Sequence, residues 1–294
     1  MFSNFKNPIK LWDKNYRINF IRLFKVFFYE LKRILTNQIY IAEIDVTSKC
    51  NLSCNHCFYF KNREFIPDRE LTSGEWETQL LKIYDEGIRR LCMVGGEPSL
   101  KMEVLELANK IFPYIDICSN GLIKIPEDIN HRIFVSIDGT DIYNKQYRGK
   151  AILKKISENY YNDGRVVILM ALNKVNYNDI DFVAHFALEN NIKSIVFSLY
   201  TPLSENDEFY LDDISRQNII NAIVKAKKKF PQLIKMNQFA LNWYSERNHN
   251  KKCYWRDRVF HYNSLMNKRR ACLNMDCSNC GYFSGANIAP LNIF

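Results

Sequence analysis

No stretch of this chain offers the ~18 uncharged apolar residues that a membrane-crossing helix requires. Residues 1–16 contain Lys6, Lys10, Asp13 and Lys14 and lack an unbroken apolar core, so the sequence predicts no secretory signal. Internal repeats and low-complexity tracts are absent too, which excludes solenoid and fibrous architectures. His131, His185, His249 and His261 fall at no ligand spacing, which leaves no histidine-built metal site to consider. Nine cysteines among 294 residues are far too few for a disulfide scaffold. They are clustered, however, and clustered cysteines without export predict metal binding in the reducing cytoplasm. A composition of 47% hydrophobic and 25% charged residues is that of a folded globular chain. The length suits one large domain with an appendage, or two domains.

The middle of the chain lacks net positive charge. Of the net +9, residues 1–37 supply eight Lys/Arg against two Asp/Glu, and residues 250–294 supply seven against two. A nucleic-acid groove through the core is therefore not expected. Basic ends suit an acidic redox partner, an anionic lipid surface or an acidic substrate, or are simply solvated charge. Within the first segment, Phe20, Phe24, Phe27, Phe28, Leu31 and Leu35 recur at three- and four-residue steps, with Arg22, Lys25, Lys32 and Arg33 mostly off that stripe. This predicts an amphipathic helix over 17–35. Such a helix either packs on the domain that follows or lies flat on a membrane face with its cations toward the headgroups.

From residue 39 the pattern alternates. Strands are predicted over 39–46, 91–94, 115–119, 133–137, 166–172 and 193–199, and helices over 72–86, 100–112, 180–189 and 213–228. Thr72 and Glu75 form a capping box at the start of the first of these helices, and Gly87 suits its stop. Alternation of this kind means parallel strands with crossover helices: an α/β fold, here a partial (β/α)6 TIM-like barrel with sites at the carboxyl ends of its strands. The expected organisation is a basic helix (1–38), a barrel core (39–235) and a cysteine-bearing extension (236–294).

Three constellations fall at predicted strand ends. Cys50, Cys54 and Cys57, a C-x3-C-x2-C run, follow the first strand. Three thiolates so close can hold three irons of a [4Fe–4S] cube and leave the fourth open for reaction. The alternative, a zinc knuckle with His56, asks adjacent His56 and Cys57 to bind one ion. Gly95-Gly96-Glu97-Pro98 follows the second strand; its glycines permit close backbone approach and Glu97 could face an ammonium group, though such a turn is also an ordinary connection. Ser136-Ile137-Asp138-Gly139 closes the fourth strand with Ser136 and Asp138 on one face, suited to ribose hydroxyls. Arg148 follows and could pair with a carboxylate. Ser119-Asn120-Gly121 ends the third strand and reads equally as a turn.

In this order the motifs resemble the radical S-adenosylmethionine (SAM) superfamily over roughly residues 39–200. The resemblance implies that Cys50, Cys54 and Cys57 ligate a [4Fe–4S] cluster whose open iron is chelated by SAM. Gly95, Gly96 and Glu97 would bind the SAM amino group, Ser136 the ribose and Arg148 the carboxylate. His56 stands where an aromatic residue commonly lies near the adenine. Val167–Asn173 lacks the glycines of the usual adenine-side motif. The implied chemistry is reductive cleavage of SAM to methionine and a 5′-deoxyadenosyl radical in an oxygen-sensitive enzyme.

In the extension, Cys253, Cys272, Cys277 and Cys280 can close a second metal site, with an auxiliary iron–sulfur cluster expected and structural zinc as the alternative. Their spacing matches neither the seven-cysteine SPASM extension nor the shorter twitch form; residues 276–285 faintly resemble the tail of hopanoid-type adenosyl transferases. Cys92 and Cys118 read as small buried hydrophobes. The expected substrate is a peptide or a lipid or isoprenoid, and the expected electron donor an acidic flavodoxin or ferredoxin. The competing function is a non-catalytic, zinc-binding interaction protein.

Overall fold

The computed structural model describes Leu31 and residues 41–61, 66–202, 204–246, 253–274 and 277–282. Apart from Leu31, the helix expected over 17–35 lies outside them, as does the end of the tail. Contacts divide the chain into two compact units, Met1–Ile39 and Tyr40–Phe294, and all that follows concerns the second.

β1 (Ile41–Thr47) leads through the cysteine run into a one-turn helix, α1 (Phe58–Lys61). Next come α2 (Ser73–Asp85), β2 (Arg90–Gly95), α3 (Met102–Ile111), β3 (Tyr114–Ser119) and β4 (Arg132–Ser136). α4 (Asp141–Tyr147) and α5 (Leu153–Tyr160) lead to β5 (Val166–Leu172), α6 (Ile180–Glu189), β6 (Ile195–Leu199) and α7 (Asp213–Lys229). The tail holds α8 (Gln238–Ser245), α9 (Tyr254–Arg258) and a three-residue strand, β7 (Phe260–Tyr262). Thr72 caps α2 as its sequence requires: its hydroxyl accepts from Glu75 N–H, and the Glu75 carboxylate takes Thr72 N–H at 2.8 Å.

The seven strands form one sheet in the order β6-β5-β4-β3-β2-β1-β7, every neighbouring pair parallel. It does not close on itself, so the architecture is a partial barrel, six strands of it as the alternation requires. The seventh, β7, was not expected. It pairs with the outer edge of β1, Ala42 beside Phe260 and Ile44 beside Tyr262. The other edge is covered from the same part of the chain: Leu199 N–H donates to Gly281 O at 2.8 Å. Segments beyond residue 230 thus satisfy backbone groups at both edges, which an open sheet would otherwise leave bare.

Period-2 alternation sets what each strand shows to either side. On β1, Ala42, Ile44 and Val46 are at most 1% exposed. The alternate residues Glu43 and Asp45 are buried as well, at 3% and 1%. Two carboxylates buried on one strand demand partners, and the tail provides them.

Candidate functional site

The three expected motifs lie at the carboxyl ends of β1, β2 and β4. The loop that carries the cysteines is tied to the Gly-Gly turn by backbone: Gly96 N–H donates to Thr47 O and Glu97 N–H to Lys49 O, each at 2.8 Å. Gly95 has φ +108°, outside the range side chains favour, and a Cβ on Gly96 would run into the Lys49 backbone. The glycines therefore let the turn lie directly against the residues preceding Cys50. With those N–H groups used on the loop, what the turn can offer an ammonium group is carbonyl oxygen.

Glu97 is 1% exposed, and its carboxylate is fully engaged. It accepts from Ser99 N–H (3.0 Å), Ser99 Oγ (2.6 Å), Ser119 Oγ (2.8 Å) and Asn120 N–H (2.7 Å). It fixes the end of β2 to the end of β3. Asn120 then extends the tie to the cysteine loop, its Nδ2 donating to Asn51 Oδ1 at 2.7 Å and lying 4.0 Å from Cys50 Sγ. The Ser-Asn-Gly stretch is thus both a turn and the second brace of the loop.

The third brace comes from β4. Asp138 accepts Ala171 N–H from β5 through Oδ1 at 2.9 Å and faces His56 Nε2 through Oδ2 at 3.0 Å. Arg148 Nε lies 3.1 Å from the same Oδ2, an ion pair without hydrogen-bond alignment, while its Nη1 donates to Ser136 O at 2.6 Å. Arg148 is also in electrostatic contact with the Cys54 thiol. Burial works against the charge of Arg148, but Asp138 and Cys54 outweigh it and raise its pKa; burial likewise works against Asp138, and Arg148 and then His56 hold it low. The two expectations about ligands are thus qualified by geometry. Arg148 meets a protein carboxylate, and the His56 ring is 8% exposed, packed edge-on to Phe209 and turned to Asp138. Ser136, half-buried at the end of β4, sits beside them.

The sulfurs themselves are half-buried. Burial raises the pKa of all three, Cys57 to about 11, against hydrogen bonds from the Phe60 and Tyr59 backbone. Cys50 Sγ accepts Leu52 N–H at 3.4 Å. Thiols with raised pKa need a counter-charge to ionise. Amide donors, a guanidinium at Cys54 and three thiols in mutual electrostatic contact are the surroundings an iron–sulfur cluster requires, so the residues present fit one. Among the described residues, no three His, Cys, Asp or Glu side chains converge as a single-ion site.

The tail cysteines are also brought together. The Cys272 thiol feels Cys280, Cys253 and Cys277, and Cys280 feels Cys253 and Cys277. Burial pushes Cys280 up to about 11 and Cys272 higher still. Arg256 Nη1 lies 3.9 Å from Cys277 Sγ and supplies a cation. Four thiols within electrostatic reach of one another, beside a guanidinium, suit an iron–sulfur cluster, which spans more space than the single ion for which no three of them converge. Cys92 is buried as expected; Cys118 is half-buried against it.

Sequence reasoning missed Glu43, Asp45, Arg269 and Tyr282, took Asn120 only as part of a turn and gave His261 no role. Arg269 pairs with both β1 acids, Nη2 to Glu43 Oε1 at 2.7 Å and Nε to Asp45 Oδ2 at 2.9 Å. Burial pushes Glu43 up, but Arg269 and then His261 overcome it and hold it at about 2. For Asp45 burial wins over Arg269, and Glu43 adds to it, giving about 6. Alternating acids on a strand read as a solvent face, and nothing in spacing points to partners more than 200 residues away.

Residues 44–187 match the family model for the Radical SAM superfamily, and this stretch is a radical SAM domain. Members of that superfamily are enzymes built around SAM and a [4Fe–4S] cluster. Among named relatives, the sporulation killing factor maturation protein SkfB of Bacillus subtilis is 27% identical over 158 residues, 48% of this chain and 37% of that protein. A probable GTP 3′,8-cyclase of Pyrococcus horikoshii is 26% identical over 187 residues, 58% of this chain and 59% of the other. The matches thus span less than two thirds of either relative. Streptococcus suis SuiB bound to precursor peptide SuiA has the same fold, with TM-score 0.63 at 15% identity over 88% of this chain and 67% of SuiB. So does anSMEcpe with bound AdoMet, with TM-score 0.62 at 17% identity over 80% of this chain and 74% of that one. Among the described residues no helix is long and apolar enough to cross a membrane.

Proposed function

We propose that this chain is a radical SAM enzyme that modifies a peptide. Cys50, Cys54 and Cys57 hold its [4Fe–4S] cluster, and Cys253, Cys272, Cys277 and Cys280 hold an auxiliary iron–sulfur cluster. The observation that carries the reading is the three-way bracing of the cysteine loop by Gly96, Asn120 and Asp138, which presents three sulfurs at the strand ends of a partial barrel. When bound, cluster and SAM together supply reductive cleavage of SAM. The chain's own residues do the rest. Gly95 and Gly96 offer carbonyl oxygens to the SAM ammonium, with Glu97 holding their turn in shape. Ser136 faces the ribose. Arg148, kept cationic by Asp138, balances charge at Cys54 and orients the loop. Tyr200 and Phe209, which pack with Tyr143 and Tyr147, screen His56 from water.

A peptide substrate is supported by the kinship with SkfB, named for maturing a sporulation killing factor, and by SuiB, solved with a precursor peptide. The barrel core is 39–235 and the extension 236–294. The basic segment 1–38 serves docking, to an acidic flavodoxin or ferredoxin that supplies the electron or to a membrane face in the cytoplasm.

The test is anaerobic reconstitution followed by reduction with SAM. About four irons per cluster and formation of 5′-deoxyadenosine are expected, and Cys54→Ala should abolish the product. A colourless, zinc-loaded protein would instead favour a non-catalytic interaction protein. Offered a peptide encoded beside its gene and GTP in parallel, the enzyme should change the mass of the peptide alone; conversion of GTP would sink the peptide reading. Flotation with anionic liposomes, with and without residues 1–37, decides the membrane contact. High salt should slow reduction by the acidic donor and leave reduction by dithionite unchanged.

A further inference from the structure

Three separate stretches of the tail converge on one carboxylate of the barrel. His261 Nδ1 lies 3.2 Å from Glu43 Oε1, Arg269 Nη2 donates to the same oxygen at 2.7 Å, and Tyr282 OH donates to Oε2 at 2.9 Å. Each belongs to a stretch that carries a cysteine. Arg269 stands three residues before Cys272. Tyr282 stands two after Cys280 and donates its N–H to that sulfur at 3.4 Å. His261 turns its other nitrogen to the carbonyl of Trp255, two residues past Cys253, at 3.0 Å. The Trp255 ring packs between the rings of His261 and Tyr282, at 5.9 and 6.1 Å. Cys277, three residues before Cys280, is tied to it by the turn in which Cys280 N–H donates to Cys277 O at 3.4 Å. Glu43 itself is 3% exposed, on a strand held on both sides by β2 and β7.

We propose that Glu43 is the positioning residue of the tail metal site: a single buried carboxylate on β1 that sets, through Arg269, Tyr282 and His261, the mutual placement of Cys272, Cys280 and Cys253. This rests on the reading that the four tail cysteines hold a metal centre. The physics is that of an outer-shell partner. The carboxylate does not touch the metal, but it fixes the segments that do, and breaking such a partner weakens metal binding by about 10- to 100-fold. A carboxylate serves where an amide would not, because it must accept from a guanidinium and a phenol at once while offsetting the charge of Arg269 in the interior.

The experiment is a cobalt(II) titration of the full-length apoprotein in a Cys54→Ala background, where the thiolate charge-transfer and d–d bands report the tail site. Glu43→Ala should weaken cobalt affinity by about ten-fold or more, and Glu43→Gln should recover part of the loss. Tyr282→Phe, which removes one hydroxyl, should cost a few-fold, and it carries the test if Glu43→Ala fails to fold. Asp116→Asn is the control. It breaks a part-buried cluster with Arg90 and Arg132, two strands across from Glu43 and without a hydrogen bond to Arg269, Tyr282 or His261, and should leave cobalt affinity unchanged. Unchanged affinity in both Glu43→Ala and Tyr282→Phe would overturn the proposal, and so would an equal loss in Asp116→Asn. If the background protein gives no cobalt–thiolate band and takes up no iron on anaerobic reconstitution, the underlying metal-site reading fails and takes the proposal with it.

Discussion

The loop cysteines and the tail cysteines are held by different means. The loop is braced by backbone amides, close glycine contacts and short polar bridges: Asn51 to Asn120 spans 69 residues and His56 to Asp138 spans 82. The tail is braced by charge, Arg269 and Tyr282 reaching back 226 and 239 residues to one strand. Backbone bracing suits a site that must leave one side open, since it fixes sulfurs without surrounding them. Charge neutralised inside the barrel suits a closed site, since the partners also fill the space around it. The loop lies within the stretch shared with the superfamily and the tail lies outside it, so the two sites can be perturbed separately.

The largest separation should come from Gly96→Ala. Its methyl group would collide with the Lys49 backbone, so we expect loss of loop iron and of SAM cleavage while the tail site still takes up metal. Loss of both, read as iron per chain, would show that the two sites are not independent. Glu97→Ala orphans the Ser99, Ser119 and Asn120 donors and should destabilise the protein by about 3–5 kcal/mol in urea unfolding, with Gln costing less.

A pH series on the apoprotein sharpens the tail side. Folded Asp45, at about 6, binds its proton more tightly than an ordinary aspartate at 3.8. Its stabilising contribution is therefore full below about pH 4 and lost as pH rises through about 6. Glu43 has the opposite sign. Held at about 2 against 4.5, it contributes above pH 4.5, and that contribution is lost as pH falls toward 2. Between pH 7 and 4.5 Asp45 is thus the member of the pair that changes charge. Wild type should gain roughly 2 kcal/mol relative to Asp45→Asn on acidification across that window. Parallel urea curves for the two proteins would refute this. The smallest effect expected is from Thr72→Ala, which removes a cap remote from both sites: about 1 kcal/mol, or a Tm lower by about 2 °C, with metal content unchanged.

Where local pattern carries the information, sequence and structure agree closely. Val166–Leu172 and Ile180–Glu189 have the expected bounds, because each is an apolar stretch bounded by turn or polar residues. The loop motifs were legible because their chemistry lies in residue type and spacing. β7 was not, since three residues, Phe260-His261-Tyr262, are too few to show a period. Glu43 and Asp45 were hidden for a different reason. Two acids alternating with Ala42, Ile44 and Val46 describe a half-exposed strand, and only the distant tail turns that face inward. His56 and Arg148 drew attention as possible ligand contacts, yet the protein carboxylate that engages both is Asp138, which spacing alone could not pair with either.

The pairing of β1 with β7 has a consequence for how the chain is made. Residue 260 leaves the ribosome roughly 10 to 40 seconds after residue 44, at usual rates of synthesis. Throughout that interval the outer edge of β1 is an unpaired strand, of the kind that recruits foreign strands. Until Arg269 arrives, Glu43 and Asp45 are adjacent like charges along that edge. The acids that later anchor the tail thus act first as gatekeepers, making the nascent barrel a poor template for aggregation while its last strand is still being synthesised.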